Sequence, residues 1–164
     1  MKQIFSYLLM LLVFALACSS PNNNDPSGRV IRTGVPERPA GQKDVLGLTA
    51  PKIDIVRVGF IGLGMRGPGA VKRFTHIPGT RIVALCDLYA EKVEKTQAIL
   101  EKAGLPRAEA YSGSEEAWKE LVRRDDIDLV YIASDWEKHA EMMIYAMEQG
   151  KHVACEVPSA MTLE

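Results

Sequence analysis

Residues Val58–Phe74 read VGFIGLGMRGPGAVKRF. An apolar run ends at Ile61, three glycines follow at Gly62, Gly64 and Gly67, and the next residues continue as a helix through Phe74. A glycine triplet alone is weak evidence, but between a strand and a helix start it describes a loop that lets main chain close on a phosphate. Gly62 permits the tight turn, Gly64 lets the backbone approach a pyrophosphate, and Gly67 lets helix and strand pack closely. Amides of the first helical turn are then offered to phosphate oxygens, and Pro68 costs nothing there because its missing N–H would have had no partner.

Downstream, short β-branched runs alternate with longer amphipathic segments. The strands expected are Ile55–Ile61, Arg81–Cys86, a weak one near Ala110 and Tyr111, Leu129–Ser134 and His152–Val157. The helices between them are the one after the glycines, Ala90–Ala103 with Val93, Ile99, Leu100 and Ala103 along one side, a third starting at Ser114, and Glu137–Gln149. Gly104 with Pro106 stops the second and Gly150 the last. Strand and helix alternate with short joints, which predicts an α/β fold with a doubly wound parallel sheet.

Asp87 ends the second expected strand, twenty residues after Gly67. A carboxylate there can accept hydrogen bonds from both ribose hydroxyls of an adenosine and repel a 2′-phosphate. With Leu88 and Tyr89 following and no basic residue beside it, NAD is favoured over NADP; the alternative role is to cap the next helix. The exit of the fourth strand, SDWEKH, lies at the carboxyl edge of the sheet, where such folds bind ligands. Trp136 can lie against a cofactor there and His139 can donate to it, or His139 can be an ordinary residue of the helix start. Glu156, at the end of the fifth strand, points to the same crevice or is a buried acceptor. His76 and His152 lack partners at metal-ligand spacing, so no metal site is expected.

Composition bounds the rest. The 47% apolar content suits a globular core, and 20 basic against 21 acidic residues, interspersed, predict neither a nucleic-acid groove nor an acidic tail. Residues 1–17 form another regime: Lys2 precedes a charge-free apolar run, Ile4–Ala17, and Cys18 follows. That run is shorter than the about 20 residues a transmembrane helix needs. It resembles a bacterial lipoprotein signal in which Cys18 becomes the lipidated first residue, although Ala15 stands where the signal usually has Leu; a plain signal peptide or an uncleaved anchor is the alternative. Residues 18–52, with five prolines and the tract NNND, read as a tether, and 53–164 as a nucleotide-binding domain whose end, SAMTLE, resembles the start of another helix. An exported protein anchored to a membrane by lipid alone is therefore expected. Cys86 and Cys155 fall in strands three positions apart, about 14 Å, and are expected to be inert core thiols.

With these pieces placed, GFIGLGMRGPGAV, IVALCD, DLVYIASDWEKHAE and GKHVACEVPSAMTLE together resemble the Gfo/Idh/MocA family of NAD(P)-dependent sugar oxidoreductases, from about Arg57 to Glu164. Within it they resemble the exported NAD-dependent glycosidases of glycoside hydrolase family 109. The oxidoreductases usually carry Glu-Lys-Pro after the fifth strand; this chain has Glu156-Val157-Pro158, as the glycosidase branch does. By position, the resemblance implies that Met65 and Arg66 contact the cofactor from the glycine loop, Arg66 otherwise being an exposed loop charge. It implies that Asp87 holds the ribose, that Trp136, Glu137, Lys138 and His139 line the cofactor, and that Glu156 and Val157 sit by the nicotinamide.

The implied reaction oxidises a sugar hydroxyl with tightly bound NAD, removes the acidified neighbouring proton, expels the glycosidic group, adds water and returns the hydride, with no net redox change. The implied partner is a small-molecule or glycan substrate ending in an N-acetylhexosamine, typically α-linked N-acetylgalactosamine, with a homo-oligomer possible. Its catalytic residues are expected in a second domain. A conventional sugar dehydrogenase and a non-catalytic NAD-binding lipoprotein are the alternatives.

Overall fold

The computed structural model describes residues 40, 41, 47 and 49–162. Cys18, the signal and most of the tether lie outside the described residues. The elements run β1 (Val56–Ile61), α1 (Gly67–Phe74), β2 (Thr80–Cys86), α2 (Ala90–Lys102), β3 (Glu109–Tyr111), α3 (Ala117–Val122), β4 (Leu129–Ile132), α4 (Trp136–Glu148) and β5 (His152–Cys155). Every strand pairing is parallel and the order is β3-β2-β1-β4-β5. The chain works outward from β1 in one direction, then returns to its other side, so the doubly wound expectation holds and the reversal falls between β1 and β4.

Alternation along the strands divides the core in two. Val58, Phe60, Ile82 and Leu85 pack with Ala70 and Val71 of α1 and Val93 and Leu100 of α2. Ile61, Ala84, Val130 and Ile132 pack with Trp118, Leu121 and Val122 of α3 and Met142 and Ala146 of α4. Each helix lays an apolar stripe on one face of the sheet, which buries both faces of the central strands.

Strands β4 and β5 each end two residues before the expected Ser134 and Val157, and two helices depart further from expectation. The buried side of α2 is Val93, Thr96, Gln97 and Leu100; of the expected stripe Ile99 packs only partly buried against the same core and Ala103 is exposed. Two polar residues can face the core because both are satisfied: the Gln97 amide donates to the Ala108 carbonyl at 2.6 Å and accepts from the Ala108 N–H at 3.0 Å, and the Thr96 hydroxyl donates to the Lys92 carbonyl. The helix expected from Ser114 begins only at Ala117. Ser114 turns the chain instead, its Oγ accepting from the Glu116 N–H and its carbonyl from the Ala117 N–H.

At the amino-terminal edge of the sheet, Arg57 grips Asp128 with Nε at 2.9 Å and Nη2 at 2.6 Å, while the Arg57 N–H donates to the same carboxylate at 2.8 Å. The hydrogen bonds to Arg57 hold the Asp128 pKa down at about 2. This clamp ties the starts of β1 and β4 on the side away from the strand ends where the glycine loop lies.

Candidate cofactor site

The loop after β1 is shaped by two glycines that admit no side chain. Gly62 has φ +88°, and a Cβ on it would lie 2.5 Å from the Ala133 main chain beyond β4. A Cβ on Gly67, the first residue of α1, would lie 2.0 Å from the Gly62 carbonyl oxygen. The loop therefore folds flat against its helix, as Gly67 was expected to allow. Gly64 differs: a Cβ there would meet nothing within 4 Å, because its backbone borders open space. No side chain caps the N-terminus of α1, and its first turn holds no acidic residue. Those amides are left for a ligand, and the local field favours an anion.

Asp87 lies opposite. Its Oδ2 accepts the Leu63 N–H of the glycine loop at 2.7 Å and its Oδ1 accepts the Tyr89 N–H at 3.0 Å. The carboxylate is 8% exposed, so it is held rigidly at the wall of the space and still reaches it. Asp87 does not cap α2, whose N-cap is Tyr89 with no side-chain capping hydrogen bond; through the Tyr89 N–H it braces the turn between β2 and α2. The expectation that no base stands beside Asp87 is corrected: Lys92 Nζ is 3.5 Å from Oδ1. Residues 88–91 are too few to carry the chain away, so the first turn of α2 brings Lys92 back over the end of β2.

Together these elements enclose a cleft of about 830 Å³, within the range of small-molecule sites. Of the residues singled out from sequence, Gly62, Gly64, Met65, Arg66, Asp87, Trp136, Glu137 and Lys138 line it. Met65 and Trp136 are 91% and 60% exposed, large apolar groups standing free at its rim. Four others are placed differently. Gly67 lies beneath the loop. His139 is 1% exposed, with Nδ1 2.8 Å from the Pro158 carbonyl and Nε2 3.0 Å from the Ser134 carbonyl. Both its nitrogens are engaged with main chain, so it braces the β4–α4 turn instead of facing the cleft. Glu156 turns to the opposite face of the sheet and accepts from the Tyr131 hydroxyl at 2.7 Å. Val157 is 78% exposed and does not line the cleft.

Sequence reasoning missed Lys92, Leu88 and Tyr89 near Asp87, Ser114 and Glu115 after β3, and Asp135 before Trp136. Each follows the carboxyl end of a strand, so applying the edge rule to every strand would have found them. Among the described residues no group of three metal-ligating side chains comes together. Cys86, buried at the cleft floor, has its thiol pKa pushed up to about 12 by burial and by the neighbouring Asp87 charge. Cys155 is shifted upward for the same leading reason.

Comparison with known proteins agrees with this geometry. Residues 56–164 match the Gfo/Idh/MocA family model, described as an oxidoreductase family with an NAD-binding Rossmann fold. A glycosyl hydrolase family 109 protein of Bacteroides fragilis is 75% identical over 134 residues, covering 82% of this chain and 29% of that protein. One from Bacteroides thetaiotaomicron is 58% identical over 163 residues, covering 99% of this chain and 35% of its own length. The chain thus spans about a third of the relatives it matches. Among solved structures, myo-inositol dehydrogenase from Lactobacillus casei with NAD(H) and myo-inositol superposes with TM-score 0.56 at 28% identity, over 66% of this chain and 30% of that one. A 3-ketoreductase from Actinomadura kijaniata with NADP gives TM-score 0.52 at 28% identity, over 65% and 31%.

Proposed function

This chain belongs to the Gfo/Idh/MocA oxidoreductase family with its NAD-binding Rossmann fold, and we propose that it is the cofactor-holding part of a glycosidase. The observation that carries the cofactor reading is the contrast between Gly64, open to the cleft, and the glycines on either side, closed by main chain. Gly64 and the uncapped start of α1 would hold the pyrophosphate, Arg66 would supply a positive charge, and Asp87 would receive the adenosine ribose. Trp136 and Met65, exposed at the rim, would offer apolar surface to the dinucleotide and exclude water from it.

When bound, NAD supplies a hydride acceptor that returns what it takes, so the whole protein hydrolyses a terminal N-acetylhexosaminide, typically an α-N-acetylgalactosaminide, without net redox change. The names of the Bacteroides relatives and Val157, where the dehydrogenases usually have lysine, support this reading over a sugar dehydrogenase. The full-length protein, given an aryl α-N-acetylgalactosaminide and no added NAD, is expected to release the aryl group. Absence of release by cofactor-loaded protein, with NADH building up on a free sugar, would establish the dehydrogenase instead.

We also propose that the protein is exported and held to a membrane by lipid on Cys18, from the apolar run Ile4–Ala17 directly before that cysteine. Cys18→Ser is expected to release the protein from the membrane fraction; a variant that stays bound excludes lipid anchoring.

A further inference from the structure

Lys92 is a charged cleft residue to which the nucleotide-binding pattern gives no task. Its Nζ stands 3.5 Å from Asp87 Oδ1 and 4.5 Å from the centroid of the Tyr89 ring, and its side chain is 37% exposed against 7% for that of Asp87. The acid is thus sunk in the wall, with the ammonium between it and solvent.

A carboxylate offers about four acceptor positions, two on each oxygen. Here the Tyr89 N–H takes one position on Oδ1 and the Leu63 N–H one on Oδ2, while the Lys92 ammonium faces Oδ1 as an ion pair at 3.5 Å. The two positions left match the two donors of a ribose diol, so what Lys92 changes is the charge. Asp87 alone repels a 2′-phosphate, but the Asp87–Lys92 pair is close to neutral, and the ammonium keeps N–H groups free to donate to a phosphate. The Tyr89 face beneath it favours the cation and holds it at the cleft.

We propose that Lys92 sets the dinucleotide preference of this cleft, screening Asp87 and receiving a 2′-phosphate, so that the site takes NADP as well as NAD. The inference rests on the cofactor cleft and not on the glycosidase reading. It makes Lys92, on the first turn of α2, a specificity residue alongside the carboxylate at the end of β2.

Titration calorimetry of the full chain with NAD and NADP, at one fixed ionic strength, tests this on the unsubstituted protein, Lys92→Ala and Lys92→Arg. The unsubstituted protein is expected to bind both, with dissociation constants within about tenfold of each other. One charge-assisted contact is at stake, so Lys92→Ala is expected to weaken NADP by about tenfold or more and leave NAD nearly unchanged. Lys92→Arg, which keeps the charge, is expected to preserve the ratio. An NADP-to-NAD ratio that does not move in Lys92→Ala overturns the proposal, as does equal weakening of both nucleotides or NAD binding without any NADP binding. Binding of neither nucleotide by the unsubstituted protein would remove the cofactor reading of the cleft as well.

Discussion

Gly64 and Gly67 are three residues apart and serve opposite ends, one keeping space for a ligand and the other keeping space for the protein's own carbonyl. Their alanine variants should therefore separate. Gly64→Ala meets no neighbour, so its melting temperature should match that of the parent while NAD affinity drops at least about tenfold, the methyl occupying the phosphate's place. Gly67→Ala forces a Cβ onto the Gly62 carbonyl oxygen, so both thermal stability and NAD affinity should fall. Calorimetry beside thermal melts distinguishes the two. Asp87→Ala should resemble Gly67→Ala in losing both, because the Leu63 and Tyr89 N–H groups lose their acceptor at about 1–3 kcal/mol for each buried group. At this scale the glycines and Asp87 were legible because backbone sterics and strand-end position dictate them. His139 and Glu156 were not, since sequence puts a side chain at a strand end without saying which carbonyl or hydroxyl will engage it first.

Helices and strands were legible where burial alone decides them, as in β1, β2 and β4, whose apolar runs face both layers. They were less so where a polar side chain does the packing. The turn of α2 that faces the core carries Thr96 and Gln97, and apolar periodicity does not count them. Gln97 ties α2 to Ala108, the residue just before β3. Gln97→Ala is expected to destabilise by about 1–3 kcal/mol in chemical denaturation, with unchanged slope, by stranding the Ala108 main chain. At the other edge, the clamp between β1 and β4 makes a pH-dependent contribution. The native pKa of Asp128 is lowered to about 2, below its ordinary value near about 3.9, so the clamp stabilises fully above the latter. That contribution fades as pH falls from about 4 toward about 2, when the native carboxylate takes up its proton. Asp128→Asn is expected to melt a few degrees lower at neutral pH and to converge with the parent near pH 2. An equal gap at both pH values would mean that the charge is not what the clamp uses.

Across the whole described domain, a parallel alternation brings every strand's carboxyl end to one edge, so residues as distant as Gly64, Asp87 and Trp136 meet around one cleft. That convergence was readable from the order of elements alone, before any side chain was placed. It also separates β2 from β5, and with them Cys86 and Cys155; the buried Cys86, its thiol shifted upward, should remain unlabelled by maleimide at neutral pH until the protein is unfolded. The cofactor has to remain with the protein if the proposed redox-neutral hydrolysis is to run where free dinucleotide is scarce. The direct measurement is mass spectrometry of small molecules released by denaturing full-length protein purified without added nucleotide. The account predicts close to one NAD per chain; protein that emerges empty, and that NAD cannot refill, would contradict it.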